Sequence, residues 1–144
     1  MTKKIFVYGS LMKGFFNYNK YIKGKVKISI AAKTKGKLYH LLERGYPAMV
    51  EGNQDIYGEL IEIENFQNNL KVLDKLENYT EKNFRVNEYN RIIKDIEVLE
   101  TGEKVEAYVY QFNLENINNR KVDTIYIPSG NWREYMESKT EKII

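Results

Sequence analysis

Between Lys25 and Lys37 the chain reads KVKISIAAKTKGK. Lysines 25, 27, 33, 35 and 37 share one parity, while Val26, Ile28, Ile30, Ala32 and Leu38 share the other. A period of two belongs to a strand, whose successive side chains point to opposite faces. Any fold for this chain must therefore hold a long strand, about Lys25 to His40, with one face in water and one on a core. The same lysines explain a charge imbalance. The first 42 residues carry ten lysines and no acid, in a chain whose net charge is +3. A basic end raises the question of nucleic acid. The alternation favours a solvated face instead. Lysine on an exposed strand also discourages edge-to-edge pairing, and no aromatic residue interleaves between these lysines to stack a base.

Other segments fill in around that strand. Residues 4–8 read as a short apolar strand, and 15–22 as a polar, aromatic stretch with a short helix. Arg44-Gly45-Tyr46-Pro47 is a loop. Residues 48–50 and 55–63 read as two strands separated by Glu51-Gly52-Asn53, and 66–79 as a helix. Two more strands, 84–99 and 104–112, join through Thr101-Gly102, a hairpin signal. The first alternates imperfectly around Arg91–Lys94, which predicts a bulge. A last helix starts at Asn131, capped by that residue with Glu134 three positions on. Trp132 reads as a packing anchor. Several long strands with two or three helices predict an α+β domain, a small mixed β-barrel-like sheet with a few packed helices.

With 144 residues, this is one domain: residues 1–137, followed by a tail, 138–144, expected to fray. The chain has no cysteine, which excludes a disulfide framework and thiolate metal ligation and fits a reducing compartment. The MTKK start, with four apolar residues after it, is too short for a signal peptide. No stretch approaches the roughly 20 apolar residues of a membrane span. The expectation is a soluble, cytoplasmic protein without membrane partners.

Within helix 66–79, Phe66, Leu70 and Leu73 form an apolar stripe, with Leu76 at its edge. The next position on the stripe is Glu77, and Lys71 and Lys75 point away from it. A carboxylate stands where a leucine is expected. Burial and the negative helix end would both raise its pKa, as suits a proton-transfer group. The alternative is that the helix ends here and Glu77 swings into solvent. Asp74, on the flank of the stripe, reads as solvated.

Other chemistries find little support. Ser10, in Gly9-Ser10-Leu11, lacks the second glycine of a G-x-S-x-G elbow. The single histidine, His40, reads as structural. Gly9 and Gly14 have neither P-loop nor dinucleotide-binding spacing. No HxxxH or CxxC pattern marks a metal site, and none is assigned.

Four segments, in order, resemble the γ-glutamylcyclotransferase-like (AIG2-like) superfamily. They are Tyr8-Gly9-Ser10-Leu11 after an apolar strand, Tyr46-Pro47-Ala48, Tyr57-Gly58-Glu59-Leu60, and Leu73-Asp74-Lys75-Leu76-Glu77-Asn78-Tyr79. Downstream, Tyr89-Asn90-Arg91, Tyr108, Tyr110 and Ser129-Gly130-Asn131-Trp132 also match. Asn78 stands for the family's glycine and Asn131 for its aspartate. The resemblance implies a cofactor-independent reaction: the α-amine of a γ-glutamyl group attacks its own γ-carbonyl, releasing 5-oxoproline and a free amine. Glu77 would be the general acid/base. Backbone N–H groups of Gly9, Ser10 and Leu11 would hold the oxyanion or the substrate carboxylate, and Tyr8 and Tyr110 would line the pocket. The loops 14–21, 43–46 and 113–123 are expected to set the leaving group. Two rival expectations remain at this level: a non-catalytic small-molecule binding module on the same fold, and a nucleic-acid-binding domain using the lysine face.

Overall fold

The computed structural model describes residues 2–143, with side chains through residue 139. Five strands close into a mixed barrel: β1 (Ile5–Val7), β2 (Val26–Leu41), β3 (Pro47–Ile63), β4 (Tyr89–Val98) and β5 (Lys104–Phe112). Their order is β3-β1-β5-β4-β2, and a β2–β3 pairing closes the ring. Only β1 and β5 run parallel. A short strand, β6 (Thr124–Tyr126), pairs with the end of β2. The helices are α1 (Phe66–Leu76) and α2 (Trp132–Ile143), with a short π-helical turn at Tyr18–Ile22. Among the described residues, no helix is long and apolar enough to cross a membrane.

The lysine-bearing strand is β2. Ala32 and Leu38 are fully buried on its apolar parity, and Lys27, Lys35 and Lys37 are exposed on the other. Ile28 and Ile30, expected inside, are exposed instead. The reason is length: β4 pairs with β2 only at Ala32 and Lys33, so the first part of β2 projects past the barrel with two wet faces. The lysine face carries its own partners. Lys33 pairs with Asp55 and Glu97, and Lys35 with Asp55. Lys37 lies over the rings of Tyr39 and Tyr126, aromatic neighbours that lie just beyond the alternating stretch.

Two expectations about strands are corrected. Residues 47–63 form one strand rather than two. Gly36 of β2 pairs with Gln54, and Lys37 with Val50, so Glu51-Gly52-Asn53 is an insertion within the ladder. Its Gly and Asn read as a turn but act as a bulge, which bends a strand without ending it. In β4 the expected bulge is absent, because pairing with β5 runs unbroken from Tyr89↔Phe112 to Glu97↔Lys104. The alternation fails there because a charged residue takes a buried position. The Arg91 side chain is only 12% exposed and bonds Asp74 at 2.5 Å. Its guanidinium lies over the rings of Tyr79 and Tyr108.

The core gathers Ile5, Phe6, Leu38, Met49, Ile61, Leu73, Ile96 and Trp132, all essentially inaccessible. Gly58 lets β3 press against β1: a Cβ there would lie 2.2 Å from the Val7 carbonyl oxygen. At the start of α2, Glu134 N donates to Asn131 Oδ1 at 3.0 Å, which is the expected cap. Asn131 N donates to Ser129 Oγ, so the reciprocal half of the capping box is not made. The backbone of α2 is helical through Ile143, across most of the segment expected to fray; residue 144 lies outside the described residues.

Candidate active site

β1 ends at Val7, opposite Glu59 of β3, and the next residues turn sharply. Met12 N donates to Gly9 O at 2.9 Å, and Tyr18 N to Ser10 O at 2.9 Å. The Gly9 and Ser10 carbonyls are thus engaged. The N–H groups of Gly9, Ser10 and Leu11 donate to no acceptor among the described residues. Glu59, from the Gly-Glu-Leu motif, anchors the far side of the loop by accepting from Lys13 N at 3.1 Å and from Arg133 at 3.3 Å. Gly9 is required for close approach. A Cβ there would lie 2.5 and 2.8 Å from Cγ and Cδ of Pro47, a rigid ring that cannot swing aside.

The end of α1 decides between the two readings of Glu77. Glu77 N still donates to Leu73 O at 2.9 Å, so this residue keeps the helical direction of the Leu70–Leu73 stripe. The helix stops one residue later. Asn78 takes a left-handed conformation (φ 53°), and Tyr79 N donates back to Asp74 O, the type of closure seen where helices end. Glu77 is therefore aimed inward and only partly exposed. No donor among the described residues hydrogen-bonds its carboxylate. Burial, and secondarily the charge of Glu88, push its pKa up to about 8.

Glu77 and the loop share one cavity of about 130 Å³, lined by Tyr8, Gly9, Ser10, Leu11, Glu77 and Tyr110 together with Tyr46, Asn78, Glu88, Tyr89 and others. That volume far exceeds the roughly 10–15 Å³ one water needs. All six residues singled out in the sequence meet here. The tyrosines are walls with committed hydroxyls. Tyr8 donates to the Tyr110 carbonyl at 2.6 Å and accepts from Met49 N at 3.3 Å. Tyr89 donates to Pro47 O at 2.7 Å. Tyr110 donates to Asp74 Oδ1 at 2.7 Å. Burial raises the pKa of all three phenols above the ordinary tyrosine value. Asp74, expected in solvent, is held between Arg91 and Tyr110. Periodicity placed it on the stripe's flank but could not see that β4 and β5 deliver two donors there.

A model of the family described as "Gamma-glutamyl cyclotransferase, AIG2-like" matches residues 5–134. The chain belongs to this family. A curated relative from Methanocaldococcus jannaschii, "Putative gamma-glutamylcyclotransferase MJ1514", is 33% identical over 133 residues, 91% of this chain and 96% of the relative. The crystal structure of YkqA from Bacillus subtilis has a TM-score of 0.66 at 26% identity. It covers 97% of this chain, which spans 43% of the YkqA chain. An AIG2-like protein from mouse has a TM-score of 0.62 at 22% identity, covering 88% of this chain and 86% of its own. The mouse protein's likeness is one of fold.

For this cyclotransferase-family chain, the serine-nucleophile reading fails on geometry. Ser10 Oγ accepts from Asn17 Nδ2 at 2.7 Å. His40 lies elsewhere, its Nδ1 accepting from the Trp132 indole at 3.0 Å, so the histidine and tryptophan are packing partners. Among the described residues, no group of three His, Cys, Asp or Glu could hold a metal ion. Sequence reasoning missed Glu88, took Asn78 and Tyr89 only as motif matches, and placed Tyr46 both in a motif and in a loop expected to set the leaving group. Nothing in the pattern sets Glu88 apart from the chain's other acids. Because the loop's amides and Gly9's fit are backbone features, Ser10→Ala is expected to keep activity within about tenfold. Gly9→Val is expected to lose it and to destabilise the fold by about 1–3 kcal/mol through overpacking on Pro47. Parallel activity assays and urea melts check both, and the reverse ranking would return Ser10 to suspicion.

Proposed function

We propose that this chain is a γ-glutamyl cyclotransferase acting on a small γ-glutamyl substrate in the cytoplasm without a cofactor. The supporting observation is that an unpaired, inward-facing carboxylate, Glu77, shares one cavity with three unengaged amides of the Gly9–Leu11 loop. The substrate's α-amine nitrogen bonds to its γ-carbon, and the γ-carbon to leaving-nitrogen bond breaks. Glu77 takes the proton lost by the attacking nitrogen and delivers it to the departing amine. The products are 5-oxoproline and a free amine, with no water or co-reactant consumed.

The attack is intramolecular, so the substrate itself supplies proximity. The protein's tasks are proton transfer and stabilising charge on the γ-oxygen. Amides fixed by the Met12–Gly9 and Tyr18–Ser10 bonds suit the second task, or could hold the substrate's α-carboxylate. The leaving amine would meet residues from the three loops expected to set specificity. Asn17 and Tyr46 line the cavity, and Asn119 reaches it through Arg44.

The test is a panel of γ-glutamyl amino acids and γ-glutamyl amines assayed for 5-oxoproline. Release from at least one, dependent on Glu77, is expected. Saturable binding of γ-glutamyl compounds with no product would instead establish a binding module on this fold.

A further inference from the structure

The cavity has a second carboxylate. Glu88, just before β4, lines it with a side chain only 15% exposed. Its Oε2 accepts from Arg44 at 2.7 Å and from the Tyr46 hydroxyl, and its Oε1 accepts from Asn78 Nδ2 at 2.9 Å. Arg44 also donates to Asn119 Oδ1 at 3.0 Å. Glu88 thus ties together the loop before β3, the end of α1 and, through Arg44, the turn at Asn119. Three donors thus reach the Glu88 carboxylate, one of them a guanidinium.

The other groups facing Glu77 do not carry charge into the cavity. Tyr8 just after β1, Tyr110 of β5, Tyr89 of β4 and Tyr46 of the loop before β3 are phenols whose burial favours the neutral form. Asp74, on the same helix, is engaged by Arg91 and Tyr110. No lysine, arginine or histidine is among the residues lining the cavity. Two carboxylates and no cation therefore face the space between them.

We propose that Glu88 is a positioning residue for Glu77: paired with Arg44 on the cavity wall, it sets a second carboxylate opposite Glu77 and, added to burial, helps keep the proton on Glu77 until a ligand ammonium enters. In the free protein, burial first and the neighbouring Glu88 second disfavour ionisation of Glu77. An incoming ammonium offsets that repulsion, Glu77 releases its proton to solvent, and the carboxylate so formed can accept a proton from the ammonium. This inference rests on the cyclotransferase reading for its purpose, but its electrostatic core can be measured on the unliganded protein.

The experiment is carboxyl ¹³C NMR titration of glutamate-labelled protein, with Glu77 assigned by its loss in Glu77→Gln. In Glu88→Gln the Glu77 midpoint is expected to fall from about 8 by about half to one unit. In Arg44→Met, which removes the compensating charge from outside the cavity, it is expected to rise. A purely structural role for Glu88 would not give opposite shifts. A folded Glu88→Gln protein whose Glu77 midpoint is unchanged overturns the proposal. If that variant does not fold, Arg44→Met decides: a raised midpoint supports the proposal, and an unmoved or lowered one overturns it. Absence of 5-oxoproline release from every γ-glutamyl compound would defeat the functional reading while leaving this titration intact.

Discussion

Glu77→Gln is expected to lower 5-oxoproline release by about 10²–10⁴-fold, the usual worth of a positioned general acid/base. The substitution keeps the shape of the side chain but removes its ability to take up a proton. The Gly9–Leu11 amides remain, so binding of substrate should change less than turnover. The pH dependence follows from the same group. As a base, Glu77 works only when ionised, so kcat/KM of the native protein should climb with pH through a midpoint near 8 and level above it. That limb should be missing from whatever activity Glu77→Gln retains. Rate measurements between pH 5 and 9 on both proteins check this. Undiminished turnover in the variant would remove Glu77 from the mechanism.

The same substitution is expected to make the protein more stable, by an amount that depends on pH. In the unfolded chain Glu77 ionises near its ordinary value of 4.5, and in the folded chain near 8. Below about pH 4.5 both states are protonated and the carboxyl costs little. Between the two values the unfolded state loses its proton while the folded state retains it, so stability falls as pH rises. Above about 8 the folded protein holds a buried, unpaired charge and the full penalty applies. At about 1.4 kcal/mol per unit, and allowing for water in the cavity, the penalty is about 2–4 kcal/mol. Glutamine does not carry it. Urea melts should show Glu77→Gln ahead of the native protein by about that amount at pH 9, with the gap closing toward pH 4.5. Equal stability at pH 9 would mean that the folded chain does not hold Glu77 as a desolvated acid. Loss of activity with gain of stability is the pattern expected of a residue kept for function.

Much of the fold is legible in the chain because its signals are local. The period of two in β2, the Thr101-Gly102 hairpin and the Asn131 cap each follow from a few neighbouring residues. The errors arise where a remote partner overrides a local signal. Glu51-Gly52-Asn53 looks like a turn, yet β2 continues alongside it and makes it a bulge. Arg91 breaks the alternation of β4 because Asp74, on another element, pays its desolvation. Ile28 and Ile30 have the right parity for burial, but β4 is too short to cover them.

The sequence alone determined that a long one-sided strand must be housed, that a carboxylate occupies an apolar helical stripe, and that a small Gly-Ser loop follows the first strand. Periodicity carries these facts because neighbouring side chains along a helix or strand have fixed relative directions. Only the tertiary structure decided which way Glu77 points: the backbone bond to Leu73 and the left-handed Asn78 hold it inward. Only the closure of the barrel brings it, from α1, to the same cavity as the amides that follow β1. Glu88 belongs wholly to that second kind of information. Its charge matters to Glu77 through space, and the ten residues of chain between them give no hint of it.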